Sequence, residues 1–278
     1  MKVWKAHGLG NDYLVWEGDE NVLSGEIVKK LCHRHTGVGG DGILEPIASA
    51  RAGYGVRIWN PDGSIAEKSG NGLRIFAWWL HFYQDAPSSF DIDTGFDVVQ
   101  ASIENDLVSI EMGRARFDKE EIPCLDTIWQ TPHIFGATRI SLYAVGMGNP
   151  HCVSFFPKEV NLDSLSWREW GAALEIDPRF PNRSNVQFAR VIDPHQIEIR
   201  IWERGAGETS ASGSSSCAVA AAAFRMGWVE SPVMMHMPGG MLEVQIEDDF
   251  SVLLKGPVEE VARISLSKRF ARHLLATT

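Results

Sequence analysis

A tripeptide recurs at a distance that much of the chain then respects. Arg57-Ile58-Trp59 returns 143 positions later as Arg200-Ile201-Trp202, and Ser69-Gly70 returns in the same register as Ser212-Gly213. Further on, Ile103-Glu104-Asn105-Asp106 returns as Ile246-Glu247-Asp248-Asp249, and Gly113 as Gly256. One tripeptide is chance; several matches held in one register from residue 57 to residue 113 are not. A second echo, Gly8-Leu9-Gly10-Asn11 against Gly146-Met147-Gly148-Asn149, sits at a slightly different spacing, as loops of unequal length produce. A repeat of this length is a whole structural unit, so the chain is expected to fold as two related bodies.

Both copies share a layout. Each opens on a β-rich segment, Tyr54 to Trp59 and Gln196 to Trp202; in the second, Ile197, Ile199 and Ile201 alternate with charged residues as on a half-buried strand. A loop follows, and in the first copy Pro61-Asp62-Gly63 is a turn in which Pro fixes φ and Gly permits the return. Ser-Gly then leads into a helix. Leu73 to Leu80 is apolar nearly all round and Cys217 to Phe224 more so, with Gly227 placed to end the second helix. A helix with no polar face must be buried on every side. Short alternating strands come next, such as Leu107 to Met112 and Met241 to Ile246. The expected fold class is α/β (α+β), with two pseudo-symmetric halves, each wrapping mostly antiparallel strands around a buried central helix. The halves are placed at 1–115 and 116–258, with 259–278 free to return to the first. An ordinary α+β domain with accidental echoes is the alternative.

The 278 residues, 44% of them hydrophobic, suffice for two such cores. With 26 basic against 36 acidic side chains and no Lys/Arg run, neither nucleic acid nor an anionic membrane is an expected partner. The four cysteines, Cys32, Cys124, Cys152 and Cys217, show no metal-type spacing and read as reduced thiols. Met1-Lys2-Val3-Trp4-Lys5 lacks a signal-peptide apolar stretch, and the run from Cys217 to Phe224 is too short to span a bilayer. A cytoplasmic location is expected.

A Ser-Gly turn entering a buried helix presents free backbone amides where the helix dipole favours an anion. A carboxylate is expected there, on the amides of Gly70-Asn71-Gly72 or of Gly213-Ser214-Ser215. Two such helices facing one cleft would put Ser69 and Ser212 on opposite sides of one substrate carbon. That pairing suits a racemase, in which one group removes a proton from one face and the other returns it to the opposite face. For either helix alone, a plain serine N-cap is the simpler reading.

The remaining motifs carry a resemblance. His7-Gly8-Leu9-Gly10-Asn11-Asp12, Arg34 to Gly42 (RHTGVGGDG), Asn60-Pro61-Asp62-Gly63-Ser64, Gly70-Asn71-Gly72, Gly148-Asn149-Pro150-His151 and Glu203 to Thr209 (ERGAGET) stand in the order found in diaminopimelate epimerases. The chain resembles that family over essentially its whole length. The resemblance implies a pyridoxal-independent isomerase that interconverts LL- and meso-diaminopimelate with two bases. It implies that Asn11, Asn60, Asn71, Asn149 and Asn185 line the substrate cleft, and that Glu203 and Arg204 contact substrate. A small amino acid bearing a carboxylate is the expected partner, with a homodimer as the oligomer to test. No cofactor is expected, since there is neither a nucleotide-binding glycine fingerprint nor a metal-ligand cluster.

The chain departs from the family at the two catalytic positions. Ser69 stands in place of the first cysteine, in Ser69-Gly70-Asn71-Gly72, and Ser212 in place of the second, in Ala211-Ser212-Gly213. A helix N-terminus can bring a thiol to thiolate, but an alcohol starts several pKa units higher. A five-unit deficit is roughly 7 kcal/mol, or about five powers of ten in rate. Cys152 and Cys217 read as core residues rather than replacements. Lys68, Glu203, Glu208 and His151 are alternative acid/base groups, each with an ordinary role as well, and none is assigned as the base. Three readings follow: a slow epimerase or racemase, a relative catalysing double-bond isomerisation or elimination, or a non-catalytic amino-acid-binding protein.

Overall fold

The computed structural model describes residues 1–18 and 22–276. Two compact units divide the chain: Met1–Ile110 with Gly256–Thr278, and Glu111–Lys255.

The first unit begins with β1 (Lys2–Gly8) and β2 (Asn11–Trp16), then α1 (Gly25–Cys32), β3 (Ile43–Ile47), β4 (Tyr54–Trp59) and the short β5 (Ile65–Ala66). Helix α2 (Gly70–Tyr83) follows, then β6 (Ser89–Asp93), β7 (Val98–Glu104) and β8 (Leu107–Arg114). β1 and β2 pair antiparallel, β2 and β3 parallel, β3 and β4 antiparallel. β4 then carries β5 antiparallel on one stretch and β6 parallel on another, and β6, β7 and β8 continue antiparallel.

The second unit holds β9 (Thr131–Phe135), β10 (Thr138–Gly146), β11 (Pro150–Phe155), α3 (Trp167–Glu175), β12 (Asn185–Asp193), β13 (Gln196–Glu203) and β14 (Gly207–Thr209). After them come α4 (Gly213–Arg225), β15 (Val233–Met237), β16 (Gly240–Ile246) and β17 (Ser251–Pro257). Its pairings follow the first unit's, step for step. β10 and β11 are antiparallel, β11 and β12 parallel, and β12 and β13 antiparallel. β13 carries β14 antiparallel and β15 parallel, before β16 and β17 continue antiparallel. The tripeptide echo is therefore one strand, β4 in one unit and β13 in the other, at the same node of the same topology. The parallel pairs are what the sequence patterns do not show, because alternation reports which face is buried and not the direction of the neighbour.

Each unit encloses its apolar helix. In α2 every residue from Gly70 to Ala77 is buried, with Trp79 and Leu80; in α4 Gly213 and the run Ser215–Ala223 are. Gly227 closes α4 as expected, at φ +69°, its N–H on the Phe224 carbonyl while the Trp228 N–H takes the Ala223 carbonyl. In the first unit, α1 packs Ile27 and Leu31 with Val3, Leu14 and Ile43. In the second, Trp167, Trp170 and Leu174 of α3 pack with Leu142, Cys152, Val186 and Phe188. The chain's last described elements, β18 (Glu259–Ser265) and α5 (Lys268–Leu275), belong to the first unit, where β18 pairs antiparallel with β1. Among the described residues no helix is long and apolar enough to cross a membrane.

Helix α3 approaches β13 closely enough that Gly171 has no room for a methyl group: a Cβ there would stand 2.8 Å from both Cβ and Cγ of Trp202. Gly171→Ala is therefore expected to destabilise the protein by about 1–3 kcal/mol in urea unfolding, despite alanine's better helix propensity. At Gly53 a Cβ meets nothing within 4 Å. Gly53→Ala is expected to be neutral or to stabilise by up to about 1 kcal/mol in the same assay.

Candidate active site

Both serine caps are built the same way. Ser69 precedes α2 at φ −141°, ψ 112°, and Ser212 precedes α4 at φ −148°, ψ 126°, each extended just before the helix begins. Their carbonyls accept the first intrahelical bonds, from Leu73 N–H at 2.8 Å and Ser216 N–H at 3.1 Å. Their hydroxyls are used differently. Ser69 Oγ accepts the Gly72 N–H at 3.0 Å and lies 3.0 Å from Tyr13 Oη. The Ser212 hydroxyl makes no capping bond, and Ser216 Oγ donates to the Ser212 carbonyl at 2.8 Å. The amides of Gly70, Asn71, Gly213 and Ser214 are too early in their helices to have an intrahelical acceptor.

In the first unit an oriented line of side chains runs past the Ser69 cap. Arg74 Nη2 donates to Asn71 Oδ1 at 2.8 Å, Asn71 Nδ2 to Asn11 Oδ1 at 3.1 Å, and Asn11 Nδ2 to Asp41 Oδ2 at 2.9 Å. Each amide is fixed at its oxygen and its nitrogen, so neither asparagine can flip without breaking two bonds. Asp41 also accepts from the Asp12 N–H and from Arg34. Burial alone would raise the Asp12 carboxyl, but the hydrogen bonds and charges of Arg34 and Lys5 hold it below its ordinary value. The sequence motifs containing Asn11, Asp41 and Asn71 thus meet at one place. Asn60 does not join this line: it donates to Ser64 Oγ at 3.0 Å within its own turn.

The second unit has a comparable network. His151 Nε2 donates to Asn149 Oδ1 at 2.8 Å, and Gln187 Nε2 donates both to His151 Nδ1 at 3.1 Å and to Ser215 Oγ at 3.0 Å. Asn185 Nδ2 donates to the Pro150 carbonyl, and Asn185 Oδ1 accepts the Arg204 N–H at 3.0 Å. Asn149, Asn185, Arg204 and the first turn of α4 are thereby tied together through β11 and β12. Glu175 braces the loop after β13: it accepts from the Trp202 indole at 2.8 Å, from the Gly205 N–H at 2.9 Å, and from Arg183. Burial would raise its carboxyl; those three donors keep it below the ordinary glutamate value.

The alternative acid/base groups fare unequally. His151 is fully buried, and burial together with the Arg204 charge pushes its imidazole down to about 3. It is a neutral bracket for Asn149. Glu208 is clamped by Arg168, Nε to Oε2 at 2.6 Å and Nη2 to Oε1 at 2.8 Å. Lys68 is half-buried, as is Glu203 at the end of β13. Among the cysteines, Cys152 is fully buried and pushed up to about 12 by that burial, and Cys217 lies fully buried within α4. Both are core residues. Among the described residues no group of three or more His, Cys, Asp or Glu side chains is arranged to hold a metal ion.

Several residues of this arrangement are absent from the sequence reading. Arg74 and Gln187 carried a signal, being single polar residues within apolar stretches, Leu73 to Leu80 and Val186 to Phe188. Tyr13 and Glu175 carried none; each reads as an ordinary strand or helix position.

Neutral His151 makes stability depend on pH. The unfolded imidazole takes a proton near 6.5, whereas the folded one refuses it until about 3. Stability is fully present above pH 6.5 and is expected to fall by about 1.4 kcal/mol per pH unit as the pH drops from there towards 3. His133, also pushed down by burial and by Arg179, adds to the slope. Denaturant unfolding of His151→Gln across this window should show the slope reduced by about one proton; an unchanged slope would mean that His151 is protonated in the fold.

The sequence profile of the family described as "Diaminopimelate epimerase" matches residues 3–117 and 143–261. The chain is 42% identical to the diaminopimelate epimerase 2 of a Nostoc species, over 96% of each chain. It is 36% identical to the diaminopimelate epimerase of Desulforudis audaxviator, over 94% of this chain and 97% of that one. Among solved structures, a hydroxyproline epimerase from Agrobacterium vitis with bound trans-4-hydroxy-L-proline superimposes with a TM-score of 0.70 at 13% identity, over 95% of this chain and 91% of that one. At that identity the last likeness speaks for the fold alone. The matches in sequence reach further: this chain, with serine at both helix caps, belongs to the diaminopimelate epimerase family, a family of isomerases.

Proposed function

We propose that the protein inverts the α-carbon of a small amino acid, with diaminopimelate as the first candidate, by a slow two-base reaction at Ser69 and Ser212. The observation that carries this reading is the pair of serine caps with matching backbones, on equivalent helices of a chain in an epimerase family. Amides of the first turns, at Gly70, Asn71, Gly213 and Ser214, would hold the substrate carboxylate. Asn11, Asn71, Asn149, Asn185, Glu203 and Arg204 would orient the rest of it, with Asn60 reaching it from the turn after β4.

In the reaction one serine, as alkoxide, takes the α-proton: the C–H bond breaks, an O–H bond forms, and the electron pair stays on the α-carbon beside the carboxylate. The other serine then donates its hydroxyl proton to the opposite face, and solvent restores the resting protonation. Amide dipoles aimed at the carboxylate stabilise the charge that builds there. They do not remove the alcohol's disadvantage, so turnover is expected to fall well below that of a thiol pair.

Proton NMR in D2O decides between the readings. With LL-diaminopimelate or a related amino acid, the α-proton signal is expected to disappear as the other stereoisomer appears. Ser69→Ala and Ser212→Ala should each abolish inversion, and the Ser69→Cys, Ser212→Cys pair should accelerate it by at least about a hundredfold. Exchange by the cysteine pair but never by the wild type would mean a binding protein. A product with an altered double bond would point to elimination or isomerisation on the same scaffold.

A further inference from the structure

Helix α3 carries two stripes of side chains. Trp167, Trp170 and Leu174 pack into the core of the second unit. Arg168, Gly171 and Glu175, stacked on one side of the helix by their spacing, all meet the segment from Trp202 to Glu208. Arg168 holds Glu208 with two hydrogen bonds, at 2.6 and 2.8 Å. Gly171 lets the helix lie against Trp202, where a Cβ would stand 2.8 Å from the indole's Cγ. Glu175 accepts from the Trp202 indole through Oε2 and from the Gly205 N–H through Oε1, to which Arg183 also donates.

A carboxylate is poorly placed at Glu175 for stability alone. It is the last residue of α3, where the helix dipole disfavours negative charge, and it is buried. Donors from the loop after β13 offset that cost. The loop in turn has little shape of its own: Gly205 and Gly207 both stand at φ +80°, and Arg204, Gly205 and Ala206 are exposed. Its path is imposed by the capture of two successive amides, the Arg204 N–H by Asn185 Oδ1 at 3.0 Å and the Gly205 N–H by Glu175 at 2.9 Å. The first unit has a counterpart. There α1 joins the parallel strands β2 and β3 as α3 joins β11 and β12, and it abuts the turn after β4: a Cβ on Gly63 would stand 2.5 Å from the Gly25 carbonyl oxygen. That contact is made by backbone, whereas α3 uses side chains that can be changed one at a time.

We infer that Glu175 is a positioning residue: with Arg168 it makes α3 the brace that sets the path of the Glu203–Arg204 loop, and through that loop the grip on substrate. The role of the loop rests on the isomerase reading, in which Glu203 and Arg204 orient the substrate; Glu175 acts only through them. Glu175→Gln keeps the size of the side chain but replaces one acceptor oxygen with a donor amide. Either the Trp202 indole, or the Gly205 N–H together with Arg183, then faces another donor.

Hydrogen exchange read by mass spectrometry follows the loop without turnover. Glu175→Gln is expected to speed exchange in residues 203–209 about tenfold and to leave residues 186–191 of β12 unchanged. In the Ser69→Cys, Ser212→Cys enzyme it should raise KM for LL-diaminopimelate about tenfold while kcat changes less than about threefold. Adding Trp202→Phe removes the unmatched indole donor, so it should cost less in the Glu175→Gln background than alone. Arg168→Met, which breaks an exposed clamp and leaves the core intact, should raise KM about threefold. Unchanged exchange in the loop, or equal acceleration across the whole second unit, overturns the inference, as does a faster-exchanging loop with KM unmoved. If the cysteine enzyme turns over no amino acid, the isomerase reading fails and the role in the reaction with it, while the exchange rates still decide whether Glu175 shapes the loop.

Discussion

A helix that is apolar all round cannot lie on a surface, and in this protein both α2 and α4 are of that kind. Each must be enclosed by strands, and enclosure leaves its first amides with no water to satisfy them unless something comes in. At α2 the Ser69 hydroxyl meets part of that need by accepting the Gly72 N–H. The rest stays directed at whatever anion can approach, so the burial that holds each unit together also creates its electropositive point. Fold and chemistry are linked here through the backbone before any side chain is considered.

Around those points the side chains act chiefly to hold one another. Arg74, Asn71 and Asn11 form a line in which each donates to the next, ending on Asp41. His151 does the same for Asn149, kept neutral by its burial. Such lines cost conformational freedom, which is lost when the chain folds and not when substrate arrives.

The sequence was most legible where it repeated itself. The offset of 143 places the strands β4 and β13, the caps Ser69 and Ser212, and the helices behind them at equivalent positions, and the structure gives both the same pairing scheme. Asparagine positions were legible through motif order alone. Their partners were not, because an Asn71 to Asn11 contact joins residues far apart in the chain and leaves no periodic trace. Tyr13 shows the limit most clearly. Nothing in Asn-Asp-Tyr-Leu distinguishes a phenol that meets a serine from one that meets solvent; only the parallel pairing of β2 with β3 and the start of α2 bring it there. Parallel pairs were likewise hidden, since side-chain alternation is the same whichever way the neighbour runs.

The return of β18 and α5 to the first unit has a consequence for how the molecule is made. Residues of β18 bond to β1, Glu260 accepts from the Trp4 indole at 2.8 Å, and Leu274 is buried in the α1 cluster. The second unit is one uninterrupted stretch of chain and can be completed while synthesis is still under way. The first unit, although translated first, waits for the last residues. Until they emerge, β1 is an open edge of hydrogen-bonding groups able to pair with another nascent chain. Between translating β1 and β18 come the rest of the first unit and the whole second unit, so this edge waits long for its partner strand, and a slower ribosome lengthens the wait.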